Sequence, residues 1–213
     1  MIRNKVELDF FTKADYMMNR GYFKPSLIQR VRNIFFPDYI MNFLIVMRRI
    51  DYYTHSKVTG GGILLIFNKI RYSRLSLKLG FSIGPLVFGY GLVIPHYGSI
   101  VVGPSNRIGK YAVLHTSICI TDSQKIIGDG LYCSTGCKLI FCGELGHNIT
   151  IGANCVVSKE FKTNGVLLTS IPCAIKAERV GWYILNDKYA KRVFSVENLK
   201  IQMKNRNKTF LID

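Results

Sequence analysis

The stretch "GLVIPHYGSIVVGPSNRIGKYAVLHTSICITD", residues 91–122, decides how this sequence can be interpreted. Apolar or small residues recur at about every sixth position along it, and two histidines, His96 and His115, interrupt the pattern. A period of six fits neither an α-helix, which repeats at about 3.6 residues, nor a half-buried strand, which repeats at two. The spacing therefore indicates a repeat architecture.

The period extends beyond this stretch in two frames. One frame steps by six from Ser82 to Ile118, and after three extra residues a second frame steps from Ile127 to Val157. In a parallel β-helix of hexapeptide repeats, apolar side chains point inward from short strands, while Gly, Asn or Asp occupies corners that need positive φ. In the left-handed form three hexads make one coil, so residues 82 to about 162 predict four coils and a little more.

The rest of the chain predicts helices. A period near 3.6 residues runs through "PSLIQRVRNIFF", "PDYIMNFLIVMRRIDYYTH" and "GILLIFNKIRYSRLSLKLG", each of which opens at a Pro or a Gly cluster. The tail "ERVGWYILNDKYAKRVFSVENLK" predicts one more amphipathic helix. We therefore expect a mainly β chain with a helical domain over 1–80, a left-handed β-helix over 81–178, and a C-terminal helix with a basic tail over 179–213.

Composition limits the class of protein and its partners. With 213 residues, 48% of them hydrophobic, the chain can bury one sizeable core. Its net charge of +16 is compatible with anionic lipid or acidic small molecules, and we expect no nucleic acid. The basic aromatic helices could contact a membrane surface, although packing against the β-helix is the simpler expectation. The N-terminus lacks a signal-peptide pattern and "YIMNFLIVM", residues 39–47, is far shorter than the ~20 residues of a membrane span. We therefore expect a cytoplasmic protein.

Six cysteines lie in the second half of the chain, and in a cytoplasmic protein they are reduced. Cys133, Cys137 and Cys142 have spacings that suit a tetrahedral zinc site poorly, so we expect no metal. The repeat frame places Cys133, Cys137 and Cys155 inward as packing residues. We expect the remaining cysteines, such as Cys119 and Cys142, to be dispensable for any chemistry.

The run "KLGFSIGPLVFGYGLVIPHYGSIVVG", with the hexads through "IGANCVVSKE" and the closing "SIPCAIKAE", resembles a known enzyme family. It resembles the serine acetyltransferase-like branch of the hexapeptide-repeat acyltransferases, which includes O-acetyltransferases of surface polysaccharides. The resemblance covers residues 72 to about 178 and is strongest at G-x-G-x-x-x-x-H, which here is Gly89, Gly91 and His96. It implies a left-handed β-helix, acetyl-CoA as donor, a homotrimer with active sites between subunits, and His96 as catalytic base.

The position of His96 agrees with that role. It follows the inward Ile94 by two residues and Pro95 by one, which puts it at a corner, and a neutral imidazole suits a general base near pH 7. His115 lies nineteen residues on, one coil of eighteen plus one, and should project beside His96. It could bind the acceptor or assist proton transfer, and a stacking role along the outer face remains open. Asp122 or Tyr97 could orient His96.

This sequence differs from serine acetyltransferases at three motif positions, and the differences affect which molecule could accept the acetyl group. Those enzymes carry an Asp fifteen residues before the catalytic histidine, an acid directly before it, and a later Asp-Arg-His. Here the matching places hold Phe81, Pro95 and "TDSQ", residues 121–124. This favours a hydroxyl of a sugar or glycan as acceptor, with serine as the alternative. A metal-using hydratase of the carbonic anhydrase type would need three converging histidines, and a non-enzymatic scaffold would leave His96 unexplained.

The resemblance also implies where the donor binds. The pantetheine arm of acetyl-CoA would contact the backbone of later hexads, and its phosphates would lie near basic residues by the last coil. The matching positions are Ser134, Thr135, Gly136, Ala153 and Asn154 for the arm, and Lys176, Lys159 and Arg179 for the phosphates. Small residues let a thin chain approach the backbone, but every hexapeptide corner also contains them.

Overall fold

A computed structural model describes residues 1–56, 58–169, 174–207, 209–210 and 212. The chain begins with four helices: α1 (Lys5–Arg20), α2 (Leu27–Phe35), α3 (Tyr39–His55) and α4 (Gly61–Leu79). Side chains cap three of them, because Asn4, Ser26 and Asp38 accept hydrogen bonds from the first turns of α1, α2 and α3. The three segments with helical periodicity match α2, α3 and α4. Helix α1 was not among the segments that the periodicity identified.

Short strands and a final helix follow. They are β1 (Phe81–Ile83), β2 (Ile100–Val102), β3 (Arg107–Ile108), β4 (Val113–Leu114), β5 (Ile118–Ile120), β6 (Ile126–Ile127), β7 (Tyr132–Cys133), β8 (Lys138–Leu139), β9 (Glu144–Leu145), β10 (Thr150–Ile151), β11 (Val156–Val157), β12 (Val166–Thr169), β13 (Ala174–Glu178) and α5 (Asp187–Arg206). The last helix starts later than the sequence predicted, because Asn186 caps it by accepting hydrogen bonds from the backbone of Lys188 and Tyr189.

The strands wind into a parallel β-helix of about five turns, which confirms the predicted fold class. A first face has the strand order β1-β2-β5-β8-β11, a second face β3-β6-β9, and a third face β13-β12-β10-β7-β4. Partners such as Ile100 and Ile118 on the first face pair in parallel one coil apart. Strand β13 is the exception, since it pairs antiparallel with β12 at the end of the third face.

The structure corrects the predicted frame in the first coils. Ser82 is exposed, and the inward aliphatic positions there are Val102, Ile108, Leu114 and Ile120, two residues after the predicted ones. The predicted positions Ile100, Asn106, Ala112 and Ile118 are buried as well, because each hexad turns two side chains inward. The extra residues also lie elsewhere than predicted. The step from Ile120 to Ile127 is one residue longer than a hexad, and the step from Ile94 to Val102, which carries His96, is two residues longer.

Two hydrophobic clusters join the helices to the β-helix. The first fills the coils and receives Phe43, Leu44 and Met47 from α3. The second lies outside the third face, where α1 and the C-terminal segment pack together. Cys133, Cys137 and Cys155 are buried, as predicted. Cys173 lies outside the described residues.

Helix α2 departs from the expectation that the basic helices pack against the β-helix. None of its nine residues, all of which the structure describes, is buried. Helix α3, by contrast, is buried along much of its length. In the part of the chain that the structure describes, every helix is too short or too polar to cross a membrane.

Candidate active site

The corner that joins the third face to the first face gathers most of the predicted site, and we call it the histidine corner. Successive coils contribute residues 95–98, 115–117, 134–136 and 152–154 to it. Backbone hydrogen bonds link the later coils there, with Gly136 N to Thr116 O at 3.0 Å and Asn154 N to Thr135 O at 2.9 Å. The structure thus places the following predicted residues along one edge: His96, His115, Ser134, Thr135, Gly136, Ala153 and Asn154.

The two histidines lie side by side on adjacent coils. The centroids of the His96 and His115 rings are 6.4 Å apart, and their planes are inclined by 46°. His96 is exposed between Pro95 and Tyr97, whereas His115 is half-buried. An exposed imidazole can take a proton from a bound molecule, and a second imidazole beside it can hold or orient that molecule.

His115 has a defined hydrogen-bond partner. Its Nε2 lies 2.9 Å from the Tyr132 hydroxyl. Burial raises the pKa of Tyr132, so its phenol keeps its proton and can donate to Nε2. Burial, together with the neighbouring His96, lowers the pKa of His115 and favours the neutral ring. When Tyr132 donates to Nε2, the proton of the neutral His115 ring lies on Nδ1; when Nε2–H donates to the hydroxyl, Nδ1 is an acceptor.

A buried ion pair between α1 and α3 holds the loop that leads to His96. Arg48 donates to the Asp15 carboxylate at 2.8 Å and to the carbonyl oxygens of Phe88 and Gly89, each at 2.7 Å. The Asp15 carboxylate also accepts hydrogen bonds from the backbone of Gly91 and Leu92. Burial raises the pKa of Asp15, an effect that Arg48 and the two backbone donors oppose. Sequence reasoning did not identify this pair.

One turn further along α1, Asn19 continues the contact toward His96. Its side chain donates to Leu92 O at 2.7 Å and accepts from Ile94 N at 3.2 Å. Asp15 and Asn19 are four residues apart and lie on one face of the helix. Side chains of helix α1 therefore make hydrogen bonds to the backbone of residues 91–94, as a neighbouring strand would.

The first glycine of the motif is required by packing between coils. A Cβ atom on Gly89 would lie 2.7 Å from Lys110 N and 2.8 Å from Gly109 C, both backbone atoms of the next coil. Gly91 has φ of +74°, in the left-handed region that glycine tolerates best. The motif thus shapes the first coil, and the histidine that follows is the part that can do chemistry.

A groove of about 530 Å³ opens beside His115 on the outer side of the third face. The third face supplies one wall, and the C-terminal segment folds back to supply the other. The lining residues are Val93, Pro95, Val113, His115, Tyr132, Thr150, Arg179, Trp182, Leu185, Asn186 and Tyr189. Trp182 anchors the second wall, since its indole donates to Tyr111 O at 2.8 Å.

Three aromatic side chains of this groove form a continuous surface. The ring centroids of Tyr132 and Trp182 are 5.9 Å apart, and those of Trp182 and Tyr189 are 5.0 Å apart. Sequence reasoning missed all three. Tyr132 was treated only as part of a hexad, and Trp182 and Tyr189 belong to "GWYILNDKY", which was interpreted only as part of a helix. Its cluster of aromatic residues was the signal that could have identified the groove.

Three predicted residues, Asp122, Lys159 and Lys176, lie away from the histidine corner. Asp122 lies at the corner between the first and second faces, where its carboxylate accepts a hydrogen bond from Ser105 N at 2.8 Å and another from the Ser105 hydroxyl. Those hydrogen bonds from Ser105 lower the pKa of Asp122. Strand β2 lies between this corner and His96, so within one chain Asp122 does not orient His96, contrary to prediction.

The predicted phosphate-binding cations are also dispersed. Lys159 is exposed at the same corner as Asp122, with its ammonium 5.4 Å from the centroid of Phe161. Lys176 is exposed on β13. Of the predicted cations, Arg179 is the one that lines the groove among the residues that the structure describes.

The buried thiols are suited to packing. The side chains of Cys133 and Cys137 are hydrogen-bonded to each other. This hydrogen bond, together with burial, raises the pKa of Cys133 well above its ordinary value. A thiol in that state is a poor nucleophile and a poor metal ligand. Among the described residues, no group of three or more His, Cys, Asp or Glu is placed to hold a metal ion.

Comparison with known proteins agrees with the fold. No family model and no curated protein matches the sequence. Among solved structures, the serine acetyltransferase of Neisseria gonorrhoeae is similar with a TM-score of 0.63 and 16% identity, over 83% of this chain and 69% of that one. A serine acetyltransferase in complex with CoA matches with a TM-score of 0.60 and 16% identity, over 80% and 70%. Soybean serine acetyltransferase complexed with serine matches with a TM-score of 0.57 and 16% identity, over 80% and 69%. At these identities the shared property is the fold.

Proposed function

We propose that this protein is an acetyl-CoA-dependent O-acetyltransferase that acetylates a hydroxyl group of a sugar or glycan, with His96 as general base. The observation that carries the proposal is the placement of His96 and His115 on one corner, in line with a stack of small corner residues and at the end of an aromatic groove. Serine remains the alternative acceptor, because similar folds occur in serine acetyltransferases.

The residues of the corner have a direct role in such a reaction. The acceptor oxygen attacks the thioester carbonyl of acetyl-CoA while the His96 imidazole takes the hydroxyl proton. The carbon–sulfur bond then breaks, and the leaving thiolate takes the proton back from the imidazolium, which restores the neutral base. Tyr132 engages Nε2 of His115, which leaves Nδ1 as the ring nitrogen that can contact the acceptor.

The donor would follow the histidine corner. Residues 134–136 and 153–154 present small side chains there, which leaves the backbone open to the thin pantetheine arm. Lys176, exposed on the strand that follows these coils, supplies positive charge for the phosphates. Arg179 lies at the far end of that strand, where its backbone N donates to Gly165 O, and it lines the groove instead. Lys159 is not part of this proposal, since it lies at another corner. A serine acetyltransferase of similar fold has been solved with CoA, which supports this class of donor.

A homotrimer is part of the proposal. The first face exposes Val101 in the middle of β2 and Ile140 at the far end of the face, beside the corner of Asp122, with 40% and 51% of their surface accessible. Apolar side chains on the outside of a coil gain from being covered. A neighbouring β-helix packed on this face would cover them and would form a second wall for the donor.

The groove favours a sugar over serine. Its aromatic surface suits the apolar face of a sugar ring. Among the described residues that line the groove, Arg179 carries a positive charge and none carries a carboxylate, so nothing there would pair with the ammonium of serine. A neutral or acidic sugar fits this lining better.

The test is a CoA-release assay with His96→Ala and a panel of acceptors: neutral hexoses, N-acetylhexosamines, uronic acids and serine. We expect a sugar to accelerate CoA release by the wild type, and His96→Ala to lower kcat by about 10²- to 10⁴-fold while acetyl-CoA still binds. His147→Ala is the matched control, since His147 is an exposed imidazole at another corner. Near-normal turnover by His96→Ala would refute the proposal. Efficient formation of O-acetylserine would instead establish the alternative acceptor.

A further inference from the structure

Helix α2 exposes an apolar stripe that the β-helix does not cover. Its apolar side chains retain between 51% and 81% of their accessible surface: Leu27, Ile28, Val31, Ile34, Phe35 and the following Phe36. The spacing i, i+1, i+4, i+7, i+8 puts the first five on one side of the helix. Exposed apolar patches of this kind mark contact sites with a partner or a membrane.

The helix buries none of its residues in the fold, so its start is stabilised locally. Ser26 and Gln29 make a reciprocal capping box at its start, which satisfies two backbone donors. A helix of nine residues is nevertheless marginal in water when it buries nothing. It would gain stability from any surface that covers its apolar side.

The polar residues of α2 are arranged for an anionic surface. At 100° per residue, Arg30 and Arg32 flank the apolar stripe on its two sides, while Gln29 and Asn33 lie opposite. Residues 20–36 contain four cations and no acidic residue. Helix α4 repeats the combination, with four cations, no acidic residue and exposed Ile63, Ile66 and Phe67.

This charge pattern distinguishes between the two classes of occupant. A second copy of the chain packed through α2 would bring Arg30 and Arg32 against the same arginines, without acidic residues on the helix to offset them. Anionic lipid headgroups would neutralise the arginines while the apolar stripe enters the acyl boundary. Long arginine side chains beside an apolar stripe reach headgroups readily.

We propose that α2 docks the protein on an anionic membrane surface, with its apolar stripe inserted at the interface and Arg30 and Arg32 at the headgroups. The acceptor and donor sites on the β-helix take no part in this contact. Docking is therefore measured without substrates, and its outcome is independent of the proposed acetyl transfer.

The experiment is co-sedimentation of the full chain with phosphatidylcholine vesicles, with and without added phosphatidylserine. Wild type should bind the phosphatidylserine vesicles at least about tenfold more tightly than pure phosphatidylcholine. Ile28→Ser with Phe35→Ser should weaken that binding by about tenfold or more. Arg30→Gln with Arg32→Gln should weaken it as well and reduce its loss between about 0.1 M and about 0.5 M salt.

The matched control is Asn33→Ser, which lies opposite the apolar stripe and outside the capping box, and it should bind like the wild type. Because no residue of α2 is buried, all variants should keep the unfolding midpoint of the wild type. Equal binding to both kinds of vesicle, or none, would overturn the proposal. So would an apolar variant that changes the oligomeric state by light scattering while vesicle binding is unchanged, since a second copy would then be the occupant.

Discussion

Replacement of Arg48 by methionine tests whether the buried ion pair organises the loop that carries His96. The guanidinium is fully buried and donates to Asp15, Phe88 and Gly89. Methionine fills a similar volume without polar atoms. The variant would leave the Asp15 carboxyl in the interior with only the backbone donors of Gly91 and Leu92.

The expected loss is about 3–5 kcal/mol of unfolding free energy, the usual cost of removing one partner from a buried pair. A second route gives the same magnitude. Without Arg48, Asp15 would be protonated in the folded chain, and protonating a carboxyl with an ordinary pKa of 3.8 at pH 7 costs about 4 kcal/mol at 1.36 kcal/mol per unit. A domain of ordinary stability, about 5–15 kcal/mol, would remain measurable.

The same argument predicts a pH dependence with a definite sign. In the Arg48→Met variant the folded chain would hold a proton on Asp15 that the unfolded chain releases above its ordinary pKa. Stability relative to the wild type should therefore fall as pH rises from about 5 to about 8, by up to about 1.4 kcal/mol per pH unit. Adding Asp15→Asn should remove that slope and recover part of the loss, because an amide does not ionise.

The assay is urea unfolding followed by fluorescence of Trp182, the single tryptophan of the chain, which packs against the third face. Wild type, Arg48→Met and Asp15→Asn with Arg48→Met are compared at several pH values. A loss below about 1 kcal/mol in Arg48→Met, with the same pH profile as the wild type, would refute the reasoning.

Two further predictions concern the site. Burial and the neighbouring His96 lower the pKa of His115 in the folded chain below its ordinary value of 6.5. As the pH drops through 6.5, the unfolded chain therefore binds more protons than the folded chain, and the free energy of unfolding should fall. His115→Asn should reduce this acid-side loss of stability in urea midpoints compared from about pH 7.5 to about pH 5, and an unchanged profile would contradict it. Gly89→Ala should cost about 1–3 kcal/mol, because its Cβ meets backbone atoms of the next coil. Gly62→Ala, where nothing lies within 4 Å, is the control, and equal stability of the two variants would exclude the packing explanation.

The position of His96 shows which parts of the candidate site could be predicted from the sequence. The period of six placed both His96 and His115 on one corner of adjacent coils, and the structure has them there with ring centroids 6.4 Å apart. The family resemblance implied residues 134–136 and 153–154 for the donor, and the structure has them on that corner. The period did not place Asp122 correctly in relation to His96, because the two lie at different corners of the triangle and the corner lengths vary.

Corner lengths could not be predicted, because each hexad buries two side chains. In the first coils both positions are apolar, as Ile100 and Val102 illustrate, so the sequence permits two frames that differ by two residues. Packing against the neighbouring coils selects one of them. That choice places the extra residues in the corner of His96.

The sequence by itself determined the repeat, the coil and the alignment of the two histidines, since these depend on residues that are close in the chain or one coil apart. Tertiary structure decided the rest. Asp15 reaches Arg48 across 33 residues, and Trp182 and Tyr189 reach Tyr132 only because the C-terminal segment folds back onto the third face. Such contacts depend on how helices pack against a finished β-helix, and no local periodicity encodes that packing.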